Sequence, residues 1–363
     1  METVQQHRGE HPDSLRYFGQ LNARQVAEWG IAQSPNAQTH FAPGPDGERL
    51  AFETQGNPNA KHTILMWQGS PSSRLLTSPH RLSKVTHAML MEGARIVSVE
   101  RRGYGLTQKS PLGPRRPEHA PKDALAIADY LGVTSFSVYT RSGGTPYGAM
   151  VATELQDMVR SLVMAVPIAP PSGMGKAWFR GMSQRSIKIF NTFFERMEND
   201  PEGLFNNLDG YEMLSHYRDL GDLALALCRV PGHNHPMRME PELQGITPES
   251  VVAHSAALGP DLIGLEGWKL DIENLWWWTR YSSAIKEFEG PGYIWAAGQD
   301  QSTPPLHAMT LWEHLGGATG DNITLHINGD ATHARGVDFT GWLLLKCMDL
   351  ADNGPDRKKL IFA

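Results

Sequence analysis

Short, nearly continuous apolar runs punctuate the chain: Thr63-Ile-Leu-Met-Trp67, Arg95-Ile-Val-Ser-Val99, Phe136-Ser-Val-Tyr-Thr140, Leu162-Val-Met-Ala-Val166, Tyr293-Ile-Trp-Ala-Ala297 and Ile323-Thr-Leu-His-Ile327. Runs of this length without polar alternation predict strands buried on both faces. Between them the apolar positions fall at helical spacing, which predicts helices over about 79–92, 120–131, from about Pro304, and from about His333 to Met348. Strand alternating with helix in this way argues a mostly parallel sheet with right-handed crossovers, an α/β fold. Asp46-Gly47, between two apolar segments, adds a hairpin ahead of the first buried strand.

The alternation breaks between about residues 172 and 288. No buried-strand run occurs there, whereas Phe179, Met182, Ile187, Phe190, Phe194 and Met197 fall largely on one helical face. A helical insertion in an α/β core is expected, lying over the strand ends. The organisation read from this pattern is an N-terminal extension 1–40, a core formed by 41–171 and 289–350, a helical lid 172–288, and a C-terminal tail 351–363. Covering a sheet edge, reaching a neighbouring subunit and remaining disordered are all open for the two ends.

Composition narrows the function classes. The 363 residues are 40% hydrophobic, enough for one large core and a smaller satellite. A net charge of -6 with both signs interspersed forms no basic stripe, which argues against nucleic acid as a partner. No run approaches the roughly 18 apolar residues of a membrane span. The expectation is a cytoplasmic protein with a small-molecule partner and no membrane association; monomer and homo-oligomer both remain open. Cys228 and Cys347 are too few for a disulfide framework and are expected to be buried free thiols.

The chemistry centres on Phe136-Ser-Val-Tyr-Thr-Arg-Ser142-Gly-Gly-Thr-Pro, a strand that turns on glycines into a helix. Such a turn exposes an aimed hydroxyl beside the unpaired amides of a helix start. A serine needs a base, and the base needs an acid to hold its tautomer. Asp300 follows the strand ending at Ala297, and His333 lies in the loop after Ile327. Each has a competitor. Ser142 also suits an ordinary glycine turn, and His333 a helix cap. Asp330 is close to His333, while His307 on a helix and His326 within a strand read as structural. His233-Asn-His235 offers two metal ligands with no third at a suitable spacing, and Gly103 and Gly105 follow a strand as in a dinucleotide loop but lack the third glycine.

Five stretches in order carry a resemblance: Gln68-Gly-Ser-Pro71, Glu100-Arg-Arg-Gly-Tyr-Gly105, Thr140-Arg-Ser-Gly-Gly144, Ala297-Gly-Gln-Asp300 and Gly329-Asp-Ala-Thr-His333. Together they resemble the oxyanion loop, the glycine turn, the nucleophile elbow, the acid loop and the histidine loop of the α/β-hydrolase superfamily, over about residues 40 to 350. The resemblance implies its serine-nucleophile branch, with a helical cap inserted after the sixth strand. It further implies that Ser142 attacks, His333 moves the proton, Asp300 orients the imidazole, and the amides of Ser70 and Gly143 hold the oxyanion. Val166-Pro-Ile-Ala-Pro170 offers no carboxylate at the family's alternative acid position. Two residues depart from the pattern. Thr140 stands where a glycine is usual, predicting a crowded elbow, and Gln68 replaces a histidine, its amide expected to brace the loop.

Substrate contacts are expected from Gln68, Arg141, Trp178, Trp276 and Trp277. Three adjacent tryptophans, Trp276 to Trp278, point about 100° apart on a helix and cannot share one core. These aromatics suggest a bulky, mainly apolar or aromatic ester, thioester or lactone. No nucleotide, flavin or metal cofactor is implied. A non-hydrolytic enzyme on the same fold, such as an acyl transferase, cyclase or lyase, and a non-catalytic binding protein remain alternatives. Epoxide-hydrolase and dehalogenase chemistry is disfavoured, because those relatives use a carboxylate where this chain has Ser142.

Overall fold

The computed structural model describes residues 38–70, 74, 84–104, 106–107, 116–172, 174–199, 271, 274–275, 278, 285–333, 339–356 and 360–362. Their strands are β1 (Gln38–Pro43), β2 (Arg49–Gly56), β3 (His62–Trp67), β4 (Ala94–Val99), β5 (Phe136–Arg141), β6 (Val159–Ala165), β7 (Gly292–Ala297), β8 (Ile323–Asn328) and β9 (Leu360–Phe362). They form a nine-stranded sheet in the order β1-β2-β4-β3-β5-β6-β7-β8-β9. The hairpin β1/β2 and the pair β2/β4 are antiparallel; every pairing from β4 to β9 is parallel. The helices are α1 (Lys84–Gly93), α2 (Ala120–Leu131), α3 (Thr145–Glu154), α4 (Gln184–Asn199), α5 (Pro305–His314) and α6 (Thr340–Asn353).

The apolar runs are continuous because both sheet faces are covered. Leu65, Trp67, Val97, Val138, Met164 and Ile294 pack on one side with Ile127 of α2, Val151 of α3 and Leu311 of α5. Their alternating neighbours Ile64, Met66, Ile96, Tyr139, Val163 and Trp295 pack on the other with Leu90 of α1 and Leu343, Leu344 and Leu350 of α6. Successive side chains of a strand point to opposite faces, so each core takes every second residue. Cys347 lies in the second core as a free thiol, its pKa pushed up by burial; Cys228 is outside the described residues.

Between β6 and β7 the described elements are the short 3-10 turn Gly175–Phe179, α4, and the helical residues Asp271, Asn274, Leu275 and Trp278. One expectation needs correction. The last helix begins at Thr340 instead of near His333, so that His333 sits in a turn; it runs on to Asn353, where Gly354 at φ 78 ends it. Of the possibilities open for the C-terminal segment, Leu360–Phe362 pair with β8 along that edge, and Ala351 to Asn353 belong to α6. Residues 1–37 are outside the described part. Among the described residues, no helix is long and apolar enough to cross a membrane.

The chain runs from β3 to β4 on one side and then returns to place β5 on the other side of β3. Such a reversal leaves a crevice beyond the carboxyl ends of the two strands, the general location of ligand sites in open α/β sheets. Ser70 follows β3 and Ser142 follows β5, so both flank that point.

Candidate active site

Ser142 has φ 47, in the left-handed region that costs a residue with a Cβ on the order of 1 kcal/mol or more. The strain arises where β5 passes directly through the turn Ser142–Gly144 into α3. That turn needs close approach. A Cβ on Gly143 would lie 2.3 Å from Ser70 Oγ and 3.1 Å from Ser70 N, which brings the two backbone segments expected to bind an oxyanion side by side. The crowding expected from Thr140 is relieved from the helix: a Cβ on Gly148 of α3 would come within 2.8 Å of Thr140 Cβ. The glycine missing two residues before Ser142 is thus compensated by one six residues after it.

Strands β5, β6, β7 and β8 are consecutive neighbours, so the loops after β5, β7 and β8 share one edge. Asp300, in the loop after β7, is 3% exposed. Its Oδ1 accepts from the amides of Ser302 (2.7 Å) and Thr303 (2.8 Å). Its Oδ2 lies 2.7 Å from His333 Nδ1 and accepts from Thr303 Oγ1 at 3.0 Å. The same hydroxyl reaches Val166 O at 2.9 Å and lies 3.2 Å from His333 Nδ1. Val166 itself has φ 40, unusual for a β-branched residue, at the end of β6. With its Nδ1 proton held by Asp300, the imidazole offers Nε2 as a base, and the His333 side chain keeps 33% of its surface exposed. Asp330 is exposed and does not take this role. The contact of Thr303 with Asp300 carries no sequence signature.

A second polar cluster holds the loop after β3. Arg101, 6% exposed, donates from Nη1 to Gln68 O (2.5 Å) and from Nη2 to Gly69 O (2.8 Å) and Ser70 Oγ (3.0 Å). It also donates to Asp271 from Nε (2.9 Å) and Nη2 (2.6 Å). Asp271 further accepts from Tyr104 Oη and Tyr147 Oη, both at 2.7 Å, and from Ser70 Oγ. Burial opposes the charge of Arg101, yet the Asp271 carboxylate outweighs it and holds the guanidinium above its ordinary value. Burial, and then the Asp271 carboxylate, push both phenols well above theirs, so they donate as neutral hydroxyls. Arg101 belongs to a recognisable turn, but its partner stands 170 residues away with nothing in the sequence to mark it.

The expected substrate contacts divide. Gln68 is 2% exposed and its amide donates inward to Met66 Sδ at 3.3 Å. Trp178 is fully buried: its Nε1 donates to Ala169 O at 2.8 Å, and its ring meets Phe179, Phe190, Phe194 and His307. Both side chains therefore pack instead of lining an open cavity. Arg141 lies beside Gly69 and Ser142. Trp276 and Trp277 lie outside the described residues, as do His233 and His235. Among the described residues, no group of three or more His, Cys, Asp or Glu is placed to hold a metal ion. His307 is structural: Nδ1 accepts from Ala169 N at 3.1 Å, Nε2 meets Trp178 O at 2.9 Å, and burial lowers its pKa to about 4.

No protein-family model matches the chain, and no curated protein matches it. Solved structures are similar in shape. An alpha/beta hydrolase fold protein from Nakamurella multipartita has a TM-score of 0.51 and 18% identity, covering 87% of this chain and 100% of its own. An esterase from Thermogutta terrifontis has a TM-score of 0.54 and 15% identity, covering 87% and 98%. The Cif epoxide hydrolase from Acinetobacter nosocomialis reaches 0.62 at 10% identity, covering 94% and 96%.

Proposed function

We propose that this chain, which has the α/β-hydrolase fold, is a serine hydrolase acting on a bulky, mainly apolar or aromatic ester, thioester or lactone. The observation that carries the reading is the 2.7 Å bond between Asp300 Oδ2 and His333 Nδ1, on the sheet edge where Ser142 stands in its strained turn. In this mechanism His333 Nε2 takes the Ser142 proton as Oγ attacks the acyl carbon. The amides of Ser70 and Gly143 hold the developing oxyanion, each such donor being worth roughly 3 to 4 kcal/mol in the transition state. Collapse of the tetrahedral species expels the alcohol or thiol, which receives the proton from His333. Water, activated by the same imidazole, then releases the acid. Esterases and epoxide hydrolases both occur among proteins of similar shape; a hydroxyl at position 142 favours acyl chemistry.

The test is labelling by a fluorophosphonate together with turnover of an ester and lactone panel. Wild type should label at Ser142 and hydrolyse apolar esters, and Ser142→Ala should lose about a thousandfold or more in kcat. Unlabelled wild-type protein, or a Ser142→Ala variant of undiminished activity, overturns the reading. Product analysis separates water from another acyl acceptor.

A further inference from the structure

Two buried arginines border the candidate site, and they are built differently. Arg101 is saturated by Asp271 and by the carbonyls of Gln68 and Gly69. Arg141 is 6% exposed, yet among the described residues its guanidinium makes no hydrogen bond and has no carboxylate partner. The groups acting on its charge besides burial are the Tyr139 phenol, which favours it, and Arg101, which opposes it. Leaving a buried cation without a counter-charge costs free energy, and proteins rarely leave one so without a ligand to receive.

The position supplies the second observation. A Cβ on Gly69 would lie 3.6 Å from both Arg141 Nε and Nη2 and 3.4 Å from Ser142 Cβ. The guanidinium and the Ser142 Cβ are therefore within about 7 Å of each other across a space that glycine leaves free. Thr140 Oγ1, one residue earlier, is sealed from solvent without a partner, whereas Arg141 keeps 6% of its surface. The guanidinium thus lies within about 7 Å of the Ser142 side chain, without a hydrogen-bond partner among the described residues.

We propose that Arg141 is the receptor for a carboxylate on the acyl part of the substrate, so that the preferred substrate is a monoester or monothioester of a short dicarboxylic acid. This rests on the serine-hydrolase reading and narrows it: the apolar bulk lies in the alcohol or thiol portion and the charge lies next to the scissile carbonyl. The carboxylate is a spectator in the reaction. The Ser142 Oγ–carbon bond forms, the carbon–leaving-group bond breaks, and the Ser142 proton passes through His333 to the leaving group. A guanidinium suits this role because its fork binds a carboxylate through two parallel hydrogen bonds.

The test compares naphthyl hydrogen glutarate with its neutral methyl-capped diester, using wild type, Arg141→Met and Arg141→Lys. Wild type should favour the charged ester in kcat/KM by about ten- to a hundredfold, as expected for charge-assisted hydrogen bonds. Arg141→Met should bring the ratio near one, and Arg141→Lys should leave it intermediate. Binding of glutarate to the Ser142→Ala protein, measured by calorimetry, should exceed that of glutaramide and should vanish when Arg141→Met is added. Hydrolysis of the neutral ester by wild type with no preference for the charged one sinks the carboxylate receptor and leaves the hydrolase standing. Arg141-dependent glutarate binding without labelling of Ser142 or turnover of either ester does the reverse. Should Arg141→Met fail to fold, the wild-type preference and the Arg141→Lys ratio decide: a ratio unchanged by lysine overturns the proposal.

Discussion

Around Asp271, donors from Arg101, Tyr104, Tyr147 and Ser70 converge on one carboxylate, whereas around His333 a single imidazole is held by Asp300 at Nδ1 and stays one-third exposed. Both clusters lie at the carboxyl ends of the parallel strands, and both use a buried aspartate. In the first, the donors saturate the aspartate and the result is rigidity: the loop carrying Ser70 is pinned by bonds to its carbonyls and its hydroxyl. In the second, Asp300 is held almost as fully, by the amides of Ser302 and Thr303 and the Thr303 hydroxyl, but it leaves Nε2 of its partner imidazole uncommitted, as the proposed base requires. The two acids are buried and bonded to a similar degree, so what separates scaffold from proposed chemistry is the partner that each one holds.

The largest effect that separates the two clusters is expected from Asp300→Asn. It removes the charge holding the imidazole tautomer while keeping the shape, so kcat should fall by about 10⁴-fold with little change in the unfolding midpoint. If stability falls as far as activity, the second cluster is scaffold too. Arg101→Met should act the other way round, leaving Asp271 buried without its cation at a cost of about 3 to 5 kcal/mol in chemical denaturation. Replacing the pair together, Arg101→Met with Asp271→Leu, should recover much of that stability without restoring rapid labelling of Ser142. A double variant that labels like wild type would show that the pinned loop does not matter to the chemistry.

His307 tests the scaffold side through pH. Burial lowers its pKa from 6.5 to about 4 in the folded chain, so between these values the unfolded state binds more protons. Stability from this residue is complete above about pH 6.5 and is lost as pH falls toward 4, by about 3 kcal/mol in all. Unfolding measured at pH 7 and pH 4 should show this loss in wild type, reduced in His307→Gln. The smallest effect is expected from Thr303→Val, which deletes the hydroxyl between Asp300 and Val166. A fall in kcat/KM of roughly tenfold, recovered by Thr303→Ser, would mark the hydroxyl as a positioning group; no recovery would mark the change as one of packing.

Much of the sheet was legible because burial on both faces forces continuous apolar runs, and β3 to β8 fall on those runs within a few residues. The start of α6 was not, because helical periodicity continues through a segment that has to carry His333 as a turn. Ser142, Asp300 and His333 were legible as candidates through the strand ends they follow, and the structure places Asp300 against His333. Asp271 and Thr303 did not: their roles come from contacts made across the fold, where sequence spacing carries no information. Trp178 misled for a related reason. A large aromatic in a helical insertion reads the same whether it faces a cavity or, as here, other rings and a backbone carbonyl.

The left-handed backbone at residue 142 has a practical corollary for laboratory evolution. Glycine occupies that conformation freely, so Ser142→Gly should raise heat resistance slightly while abolishing the acyl transfer proposed for that hydroxyl. A library screened only for surviving high temperature is therefore expected to enrich a substitution that deletes the proposed nucleophile. Selection for turnover has to be applied in the same round.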